Sequence, residues 1–279
     1  SRVRLMVEER AMAVSSTPVT QEKLLQFEEI GFARFDNVLS ADEVSDFRDA
    51  LARTTNQPAL NSTQIKGAMY TQHVNVWRDG EDIRRHVFDR RLAEIARQLS
   101  RSERVRLWHD QLIAKMPGNQ STFWHHDVPL WPMIESGALT CWLALVDVTV
   151  EMGAMHFVPG SHKWGRLDIK SFPSHLLQDV EGMRYLVPDD KRDLLKPFAF
   201  ELKAGSCTFH NSLTLHWTRP NSSDRPRLGF VINYMPGEIH YSGQKHVITD
   251  PMNLKVGDPL VGDMFPILAS TDETEVADA

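Results

Sequence analysis

Two histidines and an aspartate stand side by side in the aromatic segment S-T-F-W-H-H-D, residues 121–127, just after the loop-forming P-G-N-Q. If the segment is an extended strand, residues i and i+2 share a face, so His125 and Asp127 converge while His126 points away. An imidazole and a carboxylate aimed at one point suit a divalent metal, which needs a third ligand from a distant segment. The stretch F-H-N-S-L-T-L-H-W-T-R-P offers two candidates, His210 and His216. Two histidines and one carboxylate on one face of an octahedron leave three positions open, the arrangement by which non-haem Fe(II) oxygenases admit a co-substrate and oxygen. H-x-D alone is a common tripeptide, and a hydrogen-bonded structural histidine competes with a ligand at each position.

Arg227 adds a second requirement. It lies beyond the turn cluster P-N-S-S-D-R-P, which would place it and His216 on adjacent antiparallel strands facing one cavity. In R-L-G-F-V-I-N-Y it shares its parity with Gly229, Val231 and Asn233, while Leu228, Phe230, Ile232 and Tyr234 take the other face. A guanidinium beside a glycine and smaller side chains suggests room for an anion, which it would grip bidentately. Thr218, two residues past His216 and on its face, can give a hydroxyl to the same carboxylate. Lys115, closing the strand-like L-I-A-K, is a candidate for neutralising that anion. Taken singly, Arg227 and Lys115 also read as surface cations.

These residues need a scaffold, and the chain has length for one. Its 279 residues, 42% apolar and 24% charged, suffice to bury roughly three-quarters of the unfolded surface. The front is helical. T-Q-E-K-L-L-Q-F-E-E-I spaces Leu24, Phe27 and Ile30 as a helix face ended by Gly31, and Ser40 with Glu43 forms a capping box before Val44, Phe47 and Leu51. Residues 81–99 carry a broken helical pattern. After Arg104 the chain turns to short runs rich in aromatic and branched residues: V-R-L-W-H-D-Q-L-I-A-K-M, T-F-W-H-H-D, A-L-T-C-W-L-A-L-V-D-V, F-A-F-E-L, S-C-T-F-H, L-T-L-H-W-T and L-G-F-V-I-N-Y. Strands without regularly interleaved helices predict a mainly β fold, an antiparallel jelly-roll barrel with flanking helices. Residues 163–197 break the strand rhythm and read as an insertion, a candidate lid over one end of the barrel. The expected organisation is a leader or tag-like segment at 1–16, with Met6 or Met12 a candidate initiator. One domain then spans 17–279, its helical part at 17–104.

Composition narrows the partners. A net charge of −6 with dispersed basic residues gives no field for nucleic acid or an anionic membrane, and no apolar run is long enough to span a bilayer. A small-molecule substrate and a cytoplasmic location are expected, with monomer and homodimer both open. Cys141 and Cys207, far apart in strand-like settings, read as buried small hydrophobes rather than a disulfide.

The segments W-H-H-D, G-A-L-T-C-W-L-A-L-V-D-V-T-V-E-M-G-A-M-H-F-V-P-G-S-H and K-A-G-S-C-T-F-H-N-S-L-T-L-H-W-T-R-P-N-S-S-D-R-P-R-L-G-F-V-I-N-Y together resemble the phytanoyl-CoA dioxygenase family of Fe(II)/2-oxoglutarate oxygenases, over about Thr20 to Pro236. The resemblance implies a double-stranded β-helix and a facial triad of His125, Asp127 and His216. It implies that Arg227 holds the distal carboxylate of 2-oxoglutarate, and that O2 is the oxidant. The family order of ligand histidine, small hydroxyl residue, Asn and Arg fits His216, Thr218, Asn221 and Arg227, which leaves His210 as a neighbour in the core or at the cavity rim. His126 stands where the family often has Gln, and Gly205-Ser206 where many relatives have Gly-Asp. Asp127 occupies the position that halogenating relatives give to a small residue, so halogenation is disfavoured and hydroxylation expected.

Candidate substrate contacts are Trp131, His126 and Arg184, with Trp142, Tyr185 and His175 as further candidates. The insertion's mixture of Trp164, Phe172 and Tyr185 with Lys170, Arg184 and Lys191 suits a medium-sized organic molecule with a polar or anionic group, a specialised-metabolism intermediate before an acyl-CoA. A zinc hydrolase or a non-catalytic metal-binding module on the same barrel are the rival functions. The hydrolase gives Arg227 and Thr218 no task.

Overall fold

The computed structural model describes residues 19–55, 63–169 and 171–278. The expected leader at 1–16 and Lys170 lie outside the described residues.

The helical front follows from its caps. Helix α1 (Gln21–Ile30) starts where Thr20 accepts from the Lys23 amide and stops at Gly31, whose φ of 87° is a left-handed conformation. Strand β1 (Phe32–Phe35) leads to helix α2 (Ala41–Thr55). There the capping box forms: the Ser40 amide donates to Glu43 Oε2 at 2.7 Å, and the Glu43 amide donates to Ser40 Oγ at 3.2 Å. Strands β2 (Thr63–Lys66) and β3 (Thr71–Val74) form a hairpin. The broken pattern at 81–99 is two helices, α3 (Glu81–Val87) and α4 (Arg90–Ser100), the second capped by Asp89.

The body comprises β4 (Arg104–Lys115), β5 (Leu139–Ala144), β6 (Met155–Phe157), helix α5 (Val180–Leu186), β7 (Phe198–Ala199), β8 (Cys207–Asn211), β9 (His216–Thr218), β10 (Arg227–Pro236) and β11 (Ile267–Ser270). Among the described residues, one large sheet runs β1-β8-β5-β10-β4-β3-β2 with β11 also on β4, and a small sheet runs β7-β6-β9. Every strand pair is antiparallel. The two sheets enclose a cavity in a jelly-roll of the double-stranded β-helix type.

Side-chain alternation divides the large sheet cleanly. Cys141, Leu143, Phe209, Phe230, Ile232 and Tyr234 join Phe47, Ile83, Leu92 and Ile95 in one buried core beneath the helices. The opposite parity of the same strands, with Thr140, Trp142, His210, Arg227, Val231 and Asn233, faces the cavity. The helices thus stiffen the sheet from behind and leave its inner face for chemistry. Both cysteines are buried and free.

Three expectations need correction. Residues 121–127 are not a strand: His125 makes an isolated bridge to His216, and Asp127 immediately precedes a short 3₁₀ turn at Val128–Leu130 without bonding to it through its side chain. His216 and Arg227 are not on adjacent strands, because β9 belongs to the small sheet and β10 to the large one. They face each other across the cavity instead. None of the described residues of 163–197 lines it either. They pack Ile169, Leu177, Met183, Val187 and Leu195 against Trp124, Val158, Leu215 and Trp217, a buttress behind the segments that carry His125 and His216.

Candidate metal centre and anion pocket

His125 and His216 are bridged by reciprocal backbone hydrogen bonds, each amide donating to the other's carbonyl at 3.1 and 2.9 Å. The pairing brings the two rings to a centroid separation of 4.1 Å. Each imidazole is oriented by its own chain: His125 Nδ1 lies 2.8 Å from the Phe123 carbonyl, and His216 Nδ1 lies 2.9 Å from the Thr214 carbonyl. A carbonyl acceptor at Nδ1 places the hydrogen there and leaves Nε2 as a bare donor nitrogen, as metal-ligating histidines require. Asp127 Oδ1 lies 3.8 Å from His125 Nε2 and 3.7 Å from His216 Nε2.

One ligand atom from each of the three residues falls within 4.8 Å of the others. Strand alternation is therefore not what brings His125 and Asp127 together; the turn at Asp127 does so. Burial favours a neutral Asp127 carboxyl, but His216, His210 and His125 outweigh it and hold the group far below the usual carboxylate range. Burial, aided by His125, drives the His216 imidazole well below its ordinary value. Both groups are thus in the deprotonated forms that bind a metal, and two imidazoles with one carboxylate fit Fe(II).

Across the cavity sits Arg227, 1% exposed. One terminal nitrogen donates to the Gly153 carbonyl, and the buried Nε has no partner. The Trp142 ring lies 5.3 Å from the guanidinium carbon. Gly229 is required for this packing, because a Cβ there would meet Trp142 Cζ2 at 2.2 Å. Directly opposite Arg227 in the β10–β4 register is Lys115, fully buried, whose Nζ donates to Thr218 Oγ1 at 2.8 Å. Burial together with Arg227 lowers Lys115 to about 7, and burial lowers Arg227 to about 10.

Two buried cations with no carboxylate partner among the described residues are costly unless an anion joins them. Thr218 touches both Lys115 and Thr122 Oγ1, and it lines the cavity with Arg227. The pocket thus fits the distal carboxylate of 2-oxoglutarate.

The cavity has a volume of about 260 Å³ and is lined by His125, Asp127, His216, Thr218, Arg227, Trp131 and Trp142, among others. His210, the alternative third ligand, instead approaches the other Asp127 oxygen, Nε2 to Oδ2 at 3.3 Å. His126 does not line the cavity. Its buried ring holds Nε2 3.2 Å from both the amide and the carbonyl of Leu167, and so ties the metal segment to the buttress. Arg184, Tyr185 and His175 also lie outside the cavity lining. Asn221 is a structural clasp that donates to the Lys115 and Arg225 carbonyls.

Sequence reasoning missed Tyr70, Gln72, His109, Gln111 and His246 in the cavity wall. Parity counted back from Lys115 would have found His109 and Gln111. The others reach the site through tertiary packing.

A double-stranded β-helix holding a His-Asp-His cluster beside a buried anion pocket defines the Fe(II)/2-oxoglutarate oxygenase class. A family model for phytanoyl-CoA dioxygenase matches residues 27–229, and the chain belongs to that family. It is an Fe(II)/2-oxoglutarate-dependent dioxygenase. Among similar proteins, an ectoine dioxygenase from Stutzerimonas stutzeri is 28% identical over 247 residues, covering 81% of this chain and 80% of the relative. The α-ketoglutarate-dependent carbocyclase SnoK from nogalamycin biosynthesis superposes with a TM-score of 0.77 at 26% identity, covering 91% of this chain and 98% of that one. The epimerase SnoN in complex with Fe3+, α-ketoglutarate and nogalamycin RO gives a TM-score of 0.74 at 28% identity, covering 89% and 98%. No helix among the described residues is long and apolar enough to cross a membrane.

Proposed function

We propose that His125 Nε2, Asp127 Oδ1 and His216 Nε2 hold Fe(II), that Arg227 with Thr218 and Lys115 holds the distal carboxylate of 2-oxoglutarate, and that the substrate is a small organic molecule entering beside Trp131. The observation that carries this reading is Arg227, which lines the cavity across from the His-Asp-His cluster, and Lys115, which is outside the lining and reaches it through Thr218, the two cations buried with no carboxylate partner among the described residues. A hydrolase would need the cluster but not the pair.

Iron and 2-oxoglutarate, when bound, supply oxidation of a substrate C–H bond by O2 with release of succinate and CO2. The protein's own residues position and enclose. Arg227 and Lys115 fix one end of the co-substrate. The Phe123 and Thr214 carbonyls fix the ligand imidazoles, and Trp142 and Trp131 exclude water from the walls. Hydroxylation is the proposed outcome.

A specialised-metabolism intermediate is the proposed substrate class. SnoK and SnoN, named for nogalamycin biosynthesis, and the ectoine dioxygenase support it by likeness. The cavity, about 260 Å³, lies just below the range of drug-sized ligand pockets, which favours a compact reacting group over an acyl-CoA. We further propose that residues 17–279 act as one domain in the cytoplasm, as a monomer or homodimer.

Anaerobic addition of Fe(II) and 2-oxoglutarate should produce the visible charge-transfer band of the chelate. Metal binding without that band, and without succinate formation in air, would replace the oxygenase reading with a hydrolase or a binding module.

A further inference from the structure

His210 on β8, Thr140 on β5, Asn233 on β10 and His109 on β4 are direct cross-strand partners, one rung spanning four strands of the large sheet. All four are buried, none more than 4% exposed. Asp127 rests on this rung through one oxygen only: Oδ2 lies 2.9 Å from Thr140 Oγ1 and 3.3 Å from His210 Nε2. Oδ1 is the oxygen turned toward His216 and His125, at 3.7 and 3.8 Å.

The direction of the hydrogen bonds follows from counting protons. Thr140 Oγ1 lies within 2.8 Å of the Asn233 side-chain amide as well, yet a hydroxyl has a single hydrogen. Ionised Asp127 can only accept, so that hydrogen goes to Oδ2 and Thr140 must accept from Asn233. The structure sets Asn233 Oδ1 2.8 Å from Thr140 Oγ1 and Nδ2 3.1 Å from His109 Nε2; the two ends of an amide are assigned by such networks, and the proton count requires them exchanged, NH2 toward Thr140 and oxygen toward His109.

His109 then carries its hydrogen on Nε2. Its Nδ1, buried with no partner, is the bare nitrogen, where the reverse order would strand an N–H in the core. Gln111 Nε2 lies 2.7 Å from the same His109 nitrogen; with its amide exchanged in the same way, the Gln111 oxygen shares the one His109 hydrogen with Asn233. In the reverse order Thr140 and Asp127 would oppose lone pairs at 2.9 Å.

We infer, given the ligand set proposed above, that Thr140 and Asn233 are positioning residues: a one-way hydrogen-bond chain from His109 through Asn233 and Thr140 occupies Asp127 Oδ2 and so presents Oδ1 alone to the metal. His210 closes the same oxygen from the other side. The chain reaches the cavity wall at His109 and Gln111, both of which line it.

The test uses the full chain with Co(II) as the metal probe. Thr140→Val keeps the side-chain shape and removes the hydroxyl. It should lower Co(II) affinity roughly 10- to 100-fold, the usual cost of losing a partner of a ligand, with unchanged circular dichroism. Thr140→Ser should restore the affinity. Asp127→Ala, run in parallel, separates the two levels: if it loses Co(II) while Thr140→Val binds as tightly as the parent, the relay is wrong and the ligand set stands. If Asp127→Ala keeps full affinity, the ligand set itself fails. Should Thr140→Val not fold, long-range 15N–1H spectra of the unsubstituted metal-free protein decide, with the His109 signal assigned by its loss in His109→Gln. A neutral His109 ring bearing its hydrogen on Nε2 supports the relay, and a hydrogen on Nδ1 overturns it.

Discussion

Arg227 and Lys115 stand directly opposite each other on β10 and β4, both buried, with Thr218 bonded to the lysine and no carboxylate among the described residues to neutralise either. Like charges paired directly across two strands repel in a weakly screening interior, so the arrangement is poised for an anionic ligand.

Removing the arginine tests that relationship. Arg227→Ala should weaken 2-oxoglutarate by the roughly 2–5 kcal/mol that loss of one partner of a desolvated charge pair costs, while leaving iron affinity nearly unchanged. Anaerobic titrations of the charge-transfer band read both. An unaltered 2-oxoglutarate affinity would transfer the anchoring role to Lys115 or Arg225.

The lysine gives the site a pH dependence. Burial and Arg227 lower Lys115 to about 7 from an ordinary 10.5, so without ligand it is charged below about 7 and neutral above. A bound carboxylate favours the charged form, and binding above that pH must take up a proton. Affinity for 2-oxoglutarate should therefore fall as pH rises through 7 and beyond, and Lys115→Met should flatten the profile. The linkage to stability has the matching sign. Between about 7 and 10.5 the unfolded chain holds the lysine proton that the folded chain lacks, so this group makes the ligand-free protein more stable as pH rises across that window.

At the metal, His125→Ala, Asp127→Ala and His216→Ala should each abolish turnover. His210→Ala should retain iron at reduced affinity, because His210 touches only the outward oxygen of Asp127. Iron content after anaerobic loading is the measurement, and loss from His210→Ala equal to that from His216→Ala would make His210 a ligand.

The buttress should behave as structure rather than as a lid. Met183, fully buried against the Trp124–Trp217 cluster, should cost roughly 2–5 kcal/mol when cut to Ala, visible as a lower Tm and looser iron. Arg184→Ala should leave substrate oxidation unchanged, since Arg184 lies outside the cavity lining. Selective loss of substrate affinity in Arg184→Ala would restore the lid.

Packing at the anion pocket can be probed through Gly229. A Cβ there collides with Trp142, so Gly229→Ala should cost roughly 1–3 kcal/mol as overpacking and displace the ring that faces Arg227. A chemical denaturation curve superimposable on the parent's would show that Trp142 yields freely.

Local sequence determined much of this. The caps at Thr20 and Ser40, the stop at Gly31 and the alternation along R-L-G-F-V-I-N-Y depend on neighbours within a few residues, and each is realised as the spacing dictates. The family order of motifs favours His216 over His210 as the third ligand. What lay beyond reach depends on contacts between distant segments. Parity suggested that His125 and Asp127 converge on a strand, whereas a turn aims the carboxylate and a bridge to His216 aims the imidazole. Composition made 163–197 look like a cover, but its apolar residues found a partner surface in Trp124 and Trp217, and burial of that surface set its place behind the site. The rung from His210 to His109 exists only because four strands far apart in sequence align in register. Alternation along one strand says which side a residue faces; only strand pairing says which residues stand beside it.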